Sequence, residues 1–181
     1  MQALEASFSY HIYNRGNNKQ DVFFEEDNYR YYLQLLAKHI LPISEIYAYC
    51  LLPNHFHLLL CIKANAEAPS KAMSNFINAY TKAINKKYNR TGSLFQKPFK
   101  RIKISEEKYL INLIKYIHQN PENHGLSNDF QKYSKSSYQS LLSEKTTKLD
   151  RDFVINLFGD RENFIFSHRQ KFEIEDSYSL E

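Results

Sequence analysis

The sequence predicts an α+β fold built around a four-stranded antiparallel sheet. Segments of period-two hydrophobicity alternate with segments of helical period, in the order strand, helix, strand, strand, helix, strand, helix. A Pro-Asn pair between the second and third strands is typical of a tight hairpin turn. Four strands joined by two crossover helices form the ferredoxin-like, split β-α-β plan, with helices on one face of the sheet. A further helix and a C-terminal helical appendage follow in the chain.

The predicted strands are short and bounded by turn residues. The first covers 8–14, where Phe, Tyr and Ile alternate with more polar residues. The hairpin joins strands over 46–52 and 55–62, and a strand interleaved with Lys and Arg is predicted over 94–104.

Three helices are predicted from apolar positions three and four residues apart. The first covers 27–40 and ends before Pro42, and the second runs from 70 to 88. The third is expected to begin with Ser105 as its N-cap, to carry acids on its first turn and to end at Pro121.

Length and composition favour one globular domain with an appendage. Of 181 residues 43% are hydrophobic, and only four Gly and five Pro are present, which excludes disordered and collagen-like classes. We assign the main domain to 1–126 and the appendage, packed on it, to 127–181, where 134–143 are polar and 153–166 weakly helical. Two cysteines without framework spacing, no signal-peptide pattern and no apolar run of about 20 residues predict a cytoplasmic protein without membrane contact.

Positive charge is concentrated in the middle of the chain, although the net charge is only +4. Residues 68–105 contain nine Lys or Arg and no Asp or Glu. This distribution favours contact with a polyanion such as nucleic acid, while a lysine-rich helix that is simply solvated stays an alternative.

His55 and His57 stand two residues apart on the predicted third strand. Side chains alternate across a strand, so both imidazoles face one side while Phe56, Leu58 and Leu60 face the other. Two neutral imidazoles on one face either bind a metal ion or need other polar partners.

Tyr116 and Asn120 stand four residues apart on the predicted third helix and therefore project from one helical face. Projection at 100° per residue places them nearly opposite an apolar stripe. That stripe consists of Leu110, Leu113, Ile114 and Ile117. A surface tyrosine on a solvated face is the alternative interpretation.

Five segments taken together resemble a known family. They are HIYNRGNNK, AYCLLPNHFHLLL, GSLFQKPFKRI, YIHQNPENHGL and YSKSSYQSLL, which cover roughly residues 8–143. Their order and spacing resemble the single-tyrosine HUH transposases, specifically the REP-associated tyrosine transposases of the IS200-like transposase family.

The resemblance implies a metal-dependent single-strand DNA endonuclease and transposase. It implies that His55 and His57 bind a divalent metal ion, with Mg²⁺ or Mn²⁺ as the ion, and that Tyr116 is the catalytic nucleophile. Asn120 falls on the third metal-ligand position, where some relatives carry Gln. The implied reaction cleaves and rejoins DNA through a 5′-phosphotyrosine intermediate.

The implied partner is single-stranded DNA beside a hairpin. A monomer is expected, with a dimer as the alternative. Charge for the DNA phosphates is expected from Arg15, Lys19, Lys97, Lys100, Arg101 and Lys103.

Two other functions stay open on the residues alone. One is a structural zinc module made of Cys50, His55, His57 and Cys61, although their spacing differs from the usual paired spacing of zinc ligands. The other is a catalytically silent ferredoxin-like domain that binds DNA or RNA, in which Tyr116 is only structural.

Overall fold

A computed structural model describes residues 3–170 and contains a four-stranded antiparallel sheet. The strands are β1 (Ser9–Arg15), β2 (Ser44–Leu52), β3 (His55–Ile62) and β4 (Lys100–Ile104). Their spatial order is β2-β3-β1-β4, which is the order of the split β-α-β plan. The predicted α+β fold class is therefore confirmed.

Two helices, α1 (Glu26–His39) and α2 (Pro69–Lys87), pack on one face of the sheet. Alternation along β3 buries Phe56, Leu58 and Leu60 against them. Tyr80 of α2 is fully buried in this layer, and its hydroxyl donates to the carbonyl oxygen of Val22 at 2.8 Å. This face is closed by packing and leaves the other face for the remaining helices.

The opposite face is covered by α3 (Glu107–Asn123) together with the C-terminal helices α4 (Tyr138–Leu142), α5 (Arg151–Leu157) and α6 (Arg161–Arg169). All four residues of the predicted apolar stripe of α3 are buried there. The same layer contains buried side chains of the C-terminal helices, so these helices share the core of α3. The boundary at residue 126 stays a prediction, and the part of the appendage beyond residue 170 lies outside the described residues.

A directional chain of hydrogen bonds joins α6, α3 and β2. His168 Nδ1–H donates to the carbonyl oxygen of Phe164 at 2.7 Å, which leaves His168 Nε2 as an acceptor for His118 Nδ1–H at 2.8 Å. His118 Nε2 lies 2.8 Å from Ser137 Oγ, and that oxygen accepts from the backbone N–H of Tyr49 at 2.9 Å. Both histidines are fully buried, so the chain fixes α3 against its own sheet.

The fourth strand is shorter than predicted. It begins at Lys100 rather than Leu94, because the residues before it cross the end of β1. The backbone N–H of Gln96 donates to Arg15 O at 2.9 Å, and Leu94 O accepts from the N–H of Asn17 at 3.0 Å. These tertiary bonds hold 94–99 as a loop beside the first strand.

Both predicted ends of α3 were wrong. Glu106, and not Ser105, is the N-cap residue, and no side chain caps the helix. The helix also continues through Pro121 to Asn123. Proline removes only its own N–H donor, and the next turn is still closed by the bond from His124 N–H to Asn120 O at 3.0 Å.

The weakly helical stretch predicted over 153–166 is divided into α5 and α6. Gly159 separates them with a φ of 87°, and Asp150 and Asp160 cap the two helices through their side chains. The polar stretch over 134–143 contains the short helix α4. Within residues 3–170, no helix is long and apolar enough to span a membrane.

Candidate active site

The two histidines of β3 lie on the face of the sheet that α3 covers. Arg15 and Tyr13 of the neighbouring strand β1 are the register partners of His55 and His57. Both imidazoles are buried, with exposed fractions of 5% for His55 and 1% for His57. The common face expected from their spacing is thus observed.

The hydrogen bonds of His55 indicate which ring nitrogen bears the proton. Its Nδ1–H donates to Asn54 Oδ1 at 2.6 Å, and because a neutral imidazole has one N–H, Nε2 carries a lone pair. Nε2 lies 3.4 Å from Oδ1 of Asn120, which is fully buried. Two acceptors facing each other repel unless the amide is rotated or a cation lies between them. When two ligand atoms each lie about 2.2 Å from one ion and subtend an angle of about 90° at it, they are roughly 3.1 Å apart. The distance between His55 Nε2 and Asn120 Oδ1 is close to this value, so the two atoms could share one ion.

His57 presents a second nitrogen without a partner. Burial, and then the neighbouring His11 and His55, lower its pKa well below the usual value, so the ring is neutral. Nδ1 of His57 is hydrogen-bonded to His11 Nε2 at 2.9 Å. Nε2 of His57 and Nδ2 of Asn120 are buried and have no hydrogen-bond partner among the described residues. Unpaired buried polar atoms are costly, and a bound cation removes that cost at an imidazole lone pair.

Tyr116 lies against this pair of imidazoles. Its ring meets the ring of His57 edge to face, with centroids 5.6 Å apart and planes at 87°. Asn120 follows one helical turn later on α3 and reaches His55. The structure therefore brings together Tyr116 and the three predicted metal ligands.

A cavity of about 200 Å³ opens beside the imidazoles. It is lined by three cations and by no carboxylate, so it favours an anion such as a phosphate. Its lining consists of Tyr13, Asn14, Arg15, Lys19, His55, His57, Gln96 and Lys100. Tyr13 faces this cavity and stacks on His57 with ring centroids 5.8 Å apart, which makes it a second phenol near the histidines.

The loop that follows β1 requires a glycine. A Cβ at Gly16 would lie 2.1 Å from the carbonyl oxygen of Gln20, which is a forbidden distance. The N–H of Gly16 donates to the carbonyl oxygen of Asn54 at 2.8 Å and ties the loop to the β2–β3 turn. This close approach holds Arg15 and Lys19 at the cavity.

The six predicted DNA contacts fall into three places. Arg15, Lys19 and Lys100 line the cavity at the histidines. Lys97 and Arg101 line an adjoining groove of about 580 Å³ that shares Asn14 and Gln96 with the cavity. Lys103 lies apart from both, because its ammonium is 2.9 Å from Glu5 and 3.3 Å from the centroid of the Phe8 ring.

The zinc module has no support in the geometry. Within residues 3–170, no three His, Cys, Asp or Glu side chains are arranged to hold a metal ion. The candidate site above has only two such residues and completes its ligand set with an amide. Cys50 is fully buried and Cys61 partly buried, and both are free thiols.

Several residues of the site were not predicted from the sequence. His11 and Tyr13 lie on one face of β1, and their alternation with Tyr10 and Ile12 was the available signal. His124, whose ring lies 4.9 Å from that of His55, follows the helix that was expected to end earlier. Asn54 and Gln96 lie in loops whose positions depend on tertiary contacts.

Comparisons with known proteins identify the family and the fold of the chain. A model of the family described as "Transposase IS200 like" matches residues 5–120, which is more than half of the chain. No curated protein matches the chain. A solved structure described as a REP-associated tyrosine transposase bound to a REP hairpin has a TM-score of 0.69 at 16% identity, covering 80% of this chain and 84% of that one. At this identity the likeness shows a shared fold.

A second solved structure is more distant. It is a bacterial tRNA(His) guanylyltransferase-like protein in complex with ATP, with a TM-score of 0.46 and 10% identity, covering 90% of this chain and 75% of that one. The likeness is too weak to support any functional argument.

Proposed function

We propose that this chain, which belongs to the IS200-like transposase family, is a metal-dependent single-strand DNA endonuclease and transposase acting next to DNA hairpins. One observation carries the proposal: Tyr116 lies against His57 while the partnerless nitrogen atoms of His57 and Asn120 are buried beside His55. The hairpin comes from the bound DNA of the structure that shares the fold.

The reaction that we propose for Tyr116 is a transesterification. Its phenolic oxygen attacks the phosphorus of a phosphodiester, and the bond from phosphorus to the 3′ oxygen breaks. The phenol loses one proton and the departing 3′ oxygen gains one, so a 5′-phosphotyrosine and a free 3′-hydroxyl result. Because one ester replaces another, the reverse attack by a 3′-hydroxyl rejoins the strand without an added energy source.

His55, His57 and Asn120 would hold the divalent ion, Mg²⁺ or Mn²⁺. Two imidazole nitrogens favour Mn²⁺ over Mg²⁺, which prefers oxygen ligands. A bound ion of this kind neutralises charge on the non-bridging phosphate oxygens. The burial that keeps His57 neutral also keeps its lone pair available at neutral pH.

The remaining cations of the cavity would bind the DNA. Arg15, Lys19 and Lys100 supply three positive charges beside the histidines, which suits the phosphates around a scissile bond. The adjoining groove, with Lys97 and Arg101, supports a path for the strand that continues from the cavity.

The test is a covalent-adduct assay with a labelled single-stranded oligonucleotide that carries a hairpin, in the presence of Mn²⁺. We expect the native protein to form a protein–DNA adduct that survives denaturation, and Tyr116→Phe to form none. Tyr13→Phe is the matched control, because it removes the other phenol near the histidines. Its adduct should persist.

Two other results of the adduct assay would contradict different parts of the proposal. An adduct lost in Tyr13→Phe and kept in Tyr116→Phe would make Tyr13 the nucleophile. Hairpin binding without any adduct in the native protein would favour the catalytically silent nucleic-acid-binding domain.

We also propose a monomer. The helix that carries Tyr116 packs on the sheet of its own chain and is held there by buried bonds to α6. The site therefore needs no residue from a second copy, and light scattering of the free protein should give the mass of one chain.

A further inference from the structure

A third histidine, His11, is buried behind the proposed metal site and has no role in the function proposed above. Its side chain is fully inaccessible, and its Nε2 lies 2.9 Å from Nδ1 of His57. The two rings are nearly parallel, with centroids 5.1 Å apart and planes at 16°. The Tyr13 ring packs against both imidazoles, with its centroid 4.9 Å from that of His11 and 5.8 Å from that of His57, so the three rings hold one another in place.

The proton between His11 and His57 decides which nitrogen of His57 has a lone pair. A neutral imidazole carries one N–H, and the nitrogen that bears it cannot bind a metal. Nε2 of His57 is the buried atom without a partner beside the site. It is a ligand only when Nδ1 carries the proton and donates it to an acceptor, and Nε2 of His11 is the atom at hydrogen-bond distance.

His55 shows the same arrangement with a different partner. Its Nδ1–H donates to Asn54 Oδ1, which leaves Nε2 directed at Asn120. Each of the two imidazoles thus has one hydrogen-bond partner at Nδ1. Acceptors at this nitrogen fix the tautomer and the orientation of a ligating histidine, and losing one typically lowers metal affinity by about 10- to 100-fold.

We propose that His11 is a positioning residue that accepts the Nδ1 proton of His57 and so directs the His57 Nε2 lone pair into the metal site. This rests on the proposed function for the identity of the site, but the tautomer itself is a property of the metal-free protein.

The experiment compares His11→Gln with His11→Asn. The amide oxygen of Gln lies at about the depth of the imidazole Nε2 and replaces the acceptor, whereas Asn is one methylene shorter and does not reach. Nitrogen NMR of the isotope-labelled, metal-free protein reports the His57 tautomer. Calorimetric titration with Mn²⁺ alone reports affinity, and thermal unfolding reports whether each variant is folded.

We expect the Nδ1–H tautomer of His57 in the native protein and in His11→Gln, with Mn²⁺ affinities that agree within about threefold. His11→Asn should lose the tautomer preference and bind Mn²⁺ about 10- to 100-fold more weakly. A native protein whose His57 carries its proton on Nε2 overturns the inference without any variant. Equal Mn²⁺ affinities in the Gln and Asn variants also overturn it, because a merely space-filling role would not separate them.

Failure of the proposed function gives a different result. If His57→Ala binds Mn²⁺ as well as the native protein, the metal site is elsewhere and the proposed function is wrong. The tautomer measurement in the metal-free protein still decides whether His11 holds the His57 proton.

Discussion

The rings of Tyr116 and His57 are in contact with their centroids 5.6 Å apart, and the two planes stand nearly perpendicular. The contact joins α3 to β3, two elements far apart in the chain. Phe has the same ring as Tyr, so Tyr116→Phe removes the oxygen proposed as the nucleophile and keeps a ring against His57.

Removing the His57 imidazole should separate cleavage from binding. We expect His57→Ala to lower the rate of nicking at least about 100-fold, which corresponds to losing roughly 3 kcal/mol of charge stabilisation. Affinity for the hairpin oligonucleotide in a gel-shift assay should change less than about threefold, because Arg15, Lys19 and Lys100 remain.

Cys61→Ala is the matched control for this prediction. Cys61 lies on the same face of β3 but packs away from the cavity, so its loss should change neither nicking nor binding. A collapse of hairpin affinity in His57→Ala would show that the imidazole and the phosphate contacts do not have separate roles.

The affinity for Mn²⁺ should depend on the side chain at position 120 in the way expected of a metal ligand. We expect Asn120→Ala to weaken Mn²⁺ binding by about tenfold, and Asn120→Asp to bind at least as tightly as the native protein because a carboxylate is a stronger ligand for hard cations. Calorimetric titration with Mn²⁺ measures both. Equal weakening in the two variants would instead indicate that the buried amide serves only the packing of α3.

Two lysines of β4 should differ in their effect on DNA binding. Lys100 lines the cavity, whereas Lys103 is paired with Glu5 over the ring of Phe8. Lys100→Ala should weaken binding and reduce the slope of log affinity against log salt by about 0.7, the value for one phosphate contact on a single strand. Lys103→Ala should leave the slope unchanged. Equal slopes for the two variants would contradict the prediction that Lys100 contacts the DNA and Lys103 does not.

Acid should destabilise the protein partly through the buried histidine pair. Burial lowers the pKa of His168 to about 4 and that of His118 well below its usual range. Because the unfolded chain takes up these protons near about pH 6.5, the stability is fully present above that pH and is lost as the pH falls towards about 4. Each histidine contributes a slope of at most about 1.4 kcal/mol per pH unit.

Urea unfolding at about pH 7 and about pH 5 measures this loss. His168→Leu should be less stable at the higher pH, since His118 Nδ1–H loses its acceptor, but should lose less stability on acidification. An unchanged slope in His168→Leu would show that His168 does not take up its proton on unfolding.

The fold and the central residues of the site were accessible from the sequence because they depend on short periods. A period of two places His55 and His57 on one face, and a spacing of four places Tyr116 above Asn120. These rules need no knowledge of neighbouring elements. The α+β order then follows from the turns and crossovers.

The rest depends on contacts between segments distant in the chain. The start of β4 at Lys100 is set by backbone bonds from 94–96 to the end of β1, and these bonds place Gln96 at the cavity. The contact of His11 with His57 requires the order of the strands and their register. Local sequence patterns predict neither the start of β4 nor the contact between His11 and His57.

The packing of α3 on its own sheet has a consequence for how many DNA ends one molecule handles. Under the proposed function, a chain that brings its own phenol to its own imidazoles would hold one severed end at a time, because Tyr116 would form one ester. That end must be released to an incoming hydroxyl before another is captured. Exchange of two ends would then proceed in turns on one molecule, or at once on two complete molecules side by side.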